Sequence, residues 1–233
     1  MTHFLYRPLN SVARVITGIL CRIYDEELVK VPAHGPLILV ANHVSFIEVP
    51  ILISHLQPRP ITGFAKSENW ENPLTRFLFH VWGGIPLRRG TADTVAFREA
   101  LKALDEGYIM AVAPEGTRSG DGVLQRGIPG VVLLALRSGV PLLPMAYYGG
   151  EQFRQRLPRL QRTDFHIAIG RPFTLRAGNG RVTAEMRQQM VDEIMYQIAA
   201  LLPPSYRGCY ADLSAATEEY LEFPPGSGSN LPA

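Results

Sequence analysis

His43 and Glu48 stand five positions apart in "NHVSFIE", between the apolar run "PLILVA" and a second one, "VPILI". An imidazole and a carboxylate at a junction between two buried-looking segments admit two readings. In a capping box, Ser45 is the N-cap and Glu48 the third helical residue. Pro50 speaks against that start, because as the fifth helical residue its missing N–H removes the bond back to Phe46. A helix beginning around Glu48 to Pro50 puts proline in the first turn, where it is tolerated. His43 to Ser45 then lie in the preceding loop, and Glu48 is free to turn back toward the imidazole. A carboxylate on one ring nitrogen fixes the tautomer, and the other nitrogen can take a proton from a substrate. On its own, one such pair favours a structural histidine.

Two further loops change that balance. "GGIPLRRG", 83–90, ends a strand-like run with two arginines framed by glycines. "APEGTRSGDG", 113–122, follows another apolar run and carries Glu115, Thr117, Arg118 and Ser119 among glycines that permit tight turns. Loops leaving the same ends of an α/β sheet converge, and ligands bind there. Arginines and small-residue amides gathered around one histidine suit an anionic, phosphate-bearing substrate. The alternative, three unrelated loops of surface ion pairs, explains less.

The elements that must position these loops are legible as an alternation. "LILVA" reads as a strand, 49–56 as a helix, "ITGFA" as a strand, and 72–80 as a short helix. "GIPL" is a short strand, "TADTVAFREALKAL" a capped amphipathic helix and "YIMAVA" a strand. "GVVLLAL" is helical, "PLLPMAYY" extended and "FHIAIG" a strand; a last helix starts at the cap-type Thr183 and stops at Pro203 and Pro204. The alternation predicts an α/β fold, a central mixed, largely parallel sheet flanked by helices. Before it, Leu5, Leu9, Val12, Ile16, Ile19 and Ile23 recur at helical spacing, an amphipathic helix that either packs on the core or lies in a membrane surface. The expected organisation is this helix over 1–29, one domain over 30–205, and a tail over 206–233 whose end, "PPGSGSNLPA", is expected to be disordered.

Composition narrows the class. A chain of 233 residues, 46% hydrophobic and 19% charged, can bury one full core. Its net charge of +2 steers no partner and gives no nucleic-acid signature, but basic and apolar residues interleave in 1–24 and in "QFRQRLPRLQR", 152–162. Two cysteines make no disulfide framework or metal site, no run is long enough to span a membrane, and arginines interrupt any signal peptide.

The segments "NHVSFIE", "GGIPLRRG" and "APEGTRS", followed by "GVPLLPMAYYG", resemble in order and spacing the four motifs of the glycerolipid acyltransferases. The type members of that family are the 1-acyl-sn-glycerol-3-phosphate acyltransferases, and the resemblance covers about residues 30–175. It implies that His43 is the base and Glu48 the group that orients it. It links Arg89, Glu115, Gly116, Thr117 and Arg118 to the acceptor's phosphate, and the segment of Pro141 and Pro144 to the acyl donor. "FAKSE" also resembles a family segment and adds Lys66, one of only three lysines against twenty arginines. In two places the chain departs: the usual aspartate is Glu48, and the phenylalanine that usually opens the third motif is Ala113. Relatives acting on other lysolipids vary these motifs.

The expectation is direct acyl transfer from acyl-CoA or acyl-carrier protein to a hydroxyl of 1-acylglycerol-3-phosphate, giving phosphatidic acid in phospholipid biosynthesis. Nearby loop amides are expected to hold the oxyanion, and no metal or cofactor is called for. The enzyme is expected at the cytoplasmic face of the cell membrane as a peripheral protein, docked through the two basic-apolar segments. Glycerol-3-phosphate or another lysolipid is the alternative acceptor. A lipid hydrolase lacks support, since no G-x-S-x-G or H-E-x-x-H occurs. A non-catalytic membrane module leaves His43 and its loops unexplained.

Overall fold

The computed structural model describes residues 3–88, 90, 93–178 and 180–232, the side chains of 3–5 excepted. Its centre is strand β2 (Leu37–Ala41), every residue of which is buried. A continuous apolar run of this kind belongs to a parallel strand covered on both faces. Parallel neighbours β5 (Ile109–Val112) and β6 (Leu142–Tyr148) flank it, and β3 (Ile61–Lys66) and β4 (Ile85–Leu87) extend the sheet beyond β5. Beyond β6 lie β7 (Thr163–Ile169), antiparallel to it, and β1 (Cys21–Tyr24), parallel to β7. The sheet is therefore mixed and largely parallel, in the order β1-β7-β6-β2-β5-β3-β4.

Helices cover both faces. On one face α1 (His3–Leu20), α2 (Glu48–His55) and α3 (Pro73–Val81) pack over Leu37, Leu39, Ile51, Met145 and Phe165. On the other, α4 (Thr94–Asp105), α5 (Gly130–Ser138) and α7 (Ala184–Ala199) enclose Ile38, Met110, Leu134, Leu142 and Ile194. Local chemistry fixes their ends. Asn72 caps α3 by accepting from the Leu74 and Thr75 amides, with Pro73 in the first turn; Asp93 caps α4 and Thr183 caps α7. Gly139, at φ 65°, closes α5 in the left-handed region that glycine adopts without strain.

Two expectations are corrected. The first helix stops at Leu20, and Ile23 belongs to β1, paired with Phe165 of β7. Arg162 sets that end, its guanidinium donating to the Gly18 and Cys21 carbonyls at 2.7 Å each. The two faces left open for this helix are divided along the stripe: Val12, Ile16 and Ile19 are 54%, 49% and 65% exposed, while Leu9 packs on the core and Asn10 and Thr17 are buried. Asn10 is held inside by Trp82, whose indole N–H donates to Oδ1 at 3.0 Å.

The second correction concerns the tail, which is docked. Glu193 and Gln197, four apart on α7 and fully buried, grip it. Glu193 accepts from the Thr217 hydroxyl and from the Glu219 and Tyr220 amides. Gln197 donates to Glu218 and accepts from the amide and side chain of Asn230. The short strands β8 (Thr174–Leu175) and β9 (Leu221–Glu222) pair antiparallel beside them. Polar contacts hold what composition alone leaves loose.

Candidate active site

The strands β6, β2, β5, β3 and β4 run parallel, so the segments after them emerge along one edge of the sheet. The loop after β2 is fixed first. Asn42 is buried and bridges to β6, donating to the Tyr147 carbonyl at 2.8 Å and accepting from its amide at 2.7 Å. Its side chain continues the ladder where the backbone of β2 has begun to turn away.

His43 follows. Its Nδ1 lies 2.6 Å from Oε2 of Glu48. Glu48 Oε1 accepts from the amides of Val44 and Ser45 at 2.7 and 2.6 Å. The capping box is not formed, since α2 begins at Glu48 with Ile47 as its N-cap, and the two oxygens of Glu48 divide their work. One oxygen satisfies amides at the mouth of α2, and the other takes the imidazole proton. With Nδ1–H donating to a carboxylate, Nε2 carries the lone pair. The imidazole is one-fifth exposed, whereas the Glu48 side chain is almost wholly buried. The site can therefore accept a proton from outside onto a ring steadied from inside.

Glu115, expected at the acceptor's phosphate, is instead turned inward and 3% exposed. Its Oε1 accepts from the His43 amide at 2.7 Å and its Oε2 from the Gln125 amide at 2.9 Å. Burial pushes its carboxyl up to about 7, against the pull of those two amides. The same loop returns to His43 on the other side, the Ser119 amide donating to the His43 carbonyl at 2.8 Å. A buried carboxylate with both oxygens occupied has no use for a phosphate; it fastens the 113–125 loop to the histidine backbone.

The amides of His43, Val44 and Ser45 are all taken by carboxylates, which removes these three from the nearby loop amides that could hold an oxyanion. Ser45 Oγ accepts from the Ile47 amide and, among the described residues, has no hydrogen bond to His43. Gly116, at φ 69°, makes the turn after Glu115, where a Cβ would stand 2.9 Å from Ile128 Cδ1. Thr117 and Arg118 lie exposed beyond it, and Lys66 is exposed at the end of β3, the next strand along. Arg89 lies outside the described residues.

Beside the histidine loop is a cavity of about 260 Å³, walled by Val44 to Phe46, Arg118, Glu151 and Arg154. Arg154 stands in α6 (Phe153–Arg156), with its guanidinium 5.9 Å from the centre of the Phe46 ring. Phe153, expected to face a membrane, is buried edge-on against Phe46. The arginines of this segment also turn to internal work: Arg156 pairs with Asp164 at 3.1 Å, and Arg162 ends α1. Leu157 and Leu160 remain exposed. Sequence reasoning missed Phe46, Glu151 and Arg154 as site residues; the signal available was their place just after two of the converging strands.

Residues 22–148 match the family model described as Acyltransferase. A 1-acyl-sn-glycerol-3-phosphate acyltransferase of Bacillus subtilis is 28% identical over 173 residues, 74% of this chain and 82% of the relative. A lyso-ornithine lipid O-acyltransferase of Pseudomonas aeruginosa is 27% identical over 183 residues, 71% of this chain and 70% of the relative. The crystal structure of a 1-acyl-sn-glycerophosphate acyltransferase from Thermotoga maritima shares the fold, with a TM-score of 0.63 at 23% identity over 83% of this chain and 77% of that one.

Proposed function

The chain belongs to the Acyltransferase family and is an O-acyltransferase, and from that premise we propose that His43 is the general base for acyl transfer to a lysolipid hydroxyl. Nε2 takes the hydroxyl proton as the oxygen attacks the carbonyl of an acyl thioester. The tetrahedral intermediate collapses with cleavage of the C–S bond, and the departing thiolate takes the proton back from the imidazolium. Ester and free thiol are the products. Glu48 holds the tautomer and balances the transient imidazolium charge. The observation that carries this reading is the 2.6 Å contact of His43 with Glu48, on a backbone clamped by Glu115 and Ser119.

The donor in this reading is acyl-CoA or acyl-carrier protein, and the first acceptor is 1-acylglycerol-3-phosphate, giving phosphatidic acid. Arg118, after β5, and Lys66, at the end of the neighbouring β3, would hold the phosphate, and the resemblance adds Arg89 to them. The Pseudomonas relative's name supplies a second acceptor, a lyso-ornithine lipid. Thiol release that requires an added lysolipid tests the reading, and a hydrolase would release thiol without one.

Among the described residues no helix is long and apolar enough to cross a membrane. The acceptor and product are nevertheless amphiphiles, so the enzyme must meet a lipid surface. The outward face of α1, with Val12, Val15, Ile16 and Ile19 exposed near Arg7 and Arg14, is suited to lie in a headgroup boundary. Leu74 and Phe77 of the neighbouring α3 add to the exposed apolar surface. We propose a peripheral location at the cytoplasmic face of the cell membrane, with this exposed face as the docking surface.

A further inference from the structure

Two of the arginines in residues 152–162 are consumed within the fold: Arg156 by Asp164 and the Arg162 carbonyl, and Arg162 by the Gly18 and Cys21 carbonyls. Arg154 is placed differently. Among the described residues its guanidinium has no hydrogen bond and no carboxylate within ion-pair distance, and it stands over the ring of Phe46, three residues after His43. Phe46 is in turn braced edge-on by Phe153, at 5.5 Å and 82°. The loop that carries the base therefore also props this guanidinium, and a guanidinium over a ring face keeps its N–H fork free for an anion. Arg118 lines the same cavity, and among the described residues it too lacks a carboxylate at ion-pair distance. Two cations on one cavity repel each other until an anion lies between them. Glu151 does not supply that anion: its Oε1 accepts from the Tyr206 hydroxyl at 3.0 Å, and its Oε2 is closed to solvent beside Gly122. At about 260 Å³ the cavity falls below the roughly 300–1,000 Å³ of pockets for drug-sized ligands, so it has room for a headgroup and not for an acyl chain.

Acyl transfer brings two kinds of phosphate to the protein, the acceptor's and the carrier's. In 1-acylglycerol-3-phosphate the reacting hydroxyl and the phosphate stand on neighbouring carbons. With the hydroxyl at His43 Nε2, the phosphate must lie within a few bonds of the imidazole. The carrier's nearest phosphate is instead separated from the thioester by the whole pantetheine arm. The cavity is walled by Val44 and Ser45, the two residues after His43, which suits the acceptor's phosphate. We propose that Arg154 is a further phosphate-binding residue of the acceptor site, gripping the headgroup phosphate together with Arg118 while the hydroxyl faces His43. The inference rests on acyl transfer to 1-acylglycerol-3-phosphate and adds a residue to it. Arg154 follows β6 and Lys66 ends β3, with the Arg118 loop after β5 between them. A phosphate monoester has several terminal oxygens, so these cations can share one group.

The test measures thiol release by the full chain, with acyl-CoA as donor, on 1-acylglycerol-3-phosphate and on 1-acylglycerol of the same chain length. Arg154→Ala should raise the KM of the phosphorylated acceptor by about 10-fold or more, the scale of one charge-assisted hydrogen bond, with little change in kcat or in the donor's KM. The preference for the phosphorylated acceptor over 1-acylglycerol should shrink by the same factor. Arg154→Lys keeps the charge without the fork and should recover part of the loss. An unchanged acceptor KM in Arg154→Ala overturns the proposal. So does a rise in the donor's KM equal to or larger than the acceptor's, which would give Arg154 to the carrier's phosphates. An equal fall on both acceptors with a lower melting temperature overturns it too, by making the residue structural. Equal kcat/KM of the wild type on the two acceptors overturns the phosphate site and leaves acyl transfer standing. Thiol release with no dependence on any lysolipid overturns the acyl-transfer reading itself.

Discussion

The carboxylate of Glu115 accepts the backbone N–H of His43 at 2.7 Å, so a residue 72 positions away sets where the histidine stands. Both of its oxygens take amide protons, and an amide side chain offers only one acceptor. Glu115→Gln should therefore lower kcat by about 10-fold or more with little change in either KM, the signature of lost positioning rather than lost binding.

The same carboxyl predicts a pH dependence. Its value is raised from 4.5 to about 7 by burial, so the folded state holds a proton there that the unfolded state gives up. Its contribution to stability is greatest below pH 4.5 and is lost as pH rises through about 7. Thermal unfolding of the wild type, measured against Glu115→Gln, should show a relative decline over that window and a plateau above it. A constant difference across the window would mean that Glu115 does not titrate there.

Glu48→Gln should be more damaging than its size suggests. With the amide oxygen kept on Val44 and Ser45, the amide N–H₂ faces Nδ1 and forces the imidazole proton onto Nε2, where it blocks base action. A loss of about 10²–10⁴-fold in kcat is expected. Glu48→Asp retains the charge and should keep much more activity; equal loss in both variants would show that reach, not charge, governs.

Arg118→Ala should raise the KM of the acceptor more than that of the donor, because a charge-assisted contact to the acceptor's anion is lost. A rise confined to the donor would move Arg118 to the carrier's phosphates.

Replacing Val12, Ile16 and Ile19 together by glutamine should weaken binding to anionic vesicles while leaving the melting temperature nearly unchanged, since all three are about half or more exposed. Unchanged vesicle binding with a lower melting temperature would give this face to the core.

The sequence reveals His43 and Glu48 because Pro50 restricts where α2 can begin, and it reveals the parallel strands because helix and strand periods alternate. It does not reveal which side of α1 is buried. Periodicity finds the stripe of Val12, Ile16 and Ile19, but only Trp82, distant in sequence, shows that Asn10 faces inward. The inward turn of Glu115 is hidden for a similar reason: its partners are backbone amides, which leave no trace in side-chain pattern. Glu151 and Arg154 meet Ser45 and Phe46 across about a hundred residues, through strand order alone. The tail is held by Glu193 and Gln197, polar residues at positions an amphipathic reading assigns to solvent.

His43→Ala, assayed by thiol release from an acyl thioester in the presence of a lysolipid, bears most directly on the account. The residue lies in a loop and its backbone contacts to Glu115 and Ser119 do not use its side chain, so the fold should persist. The account predicts a fall of about 10²–10⁴-fold in kcat with a melting temperature close to the wild type. A folded variant that releases thiol at near the wild-type rate would contradict it.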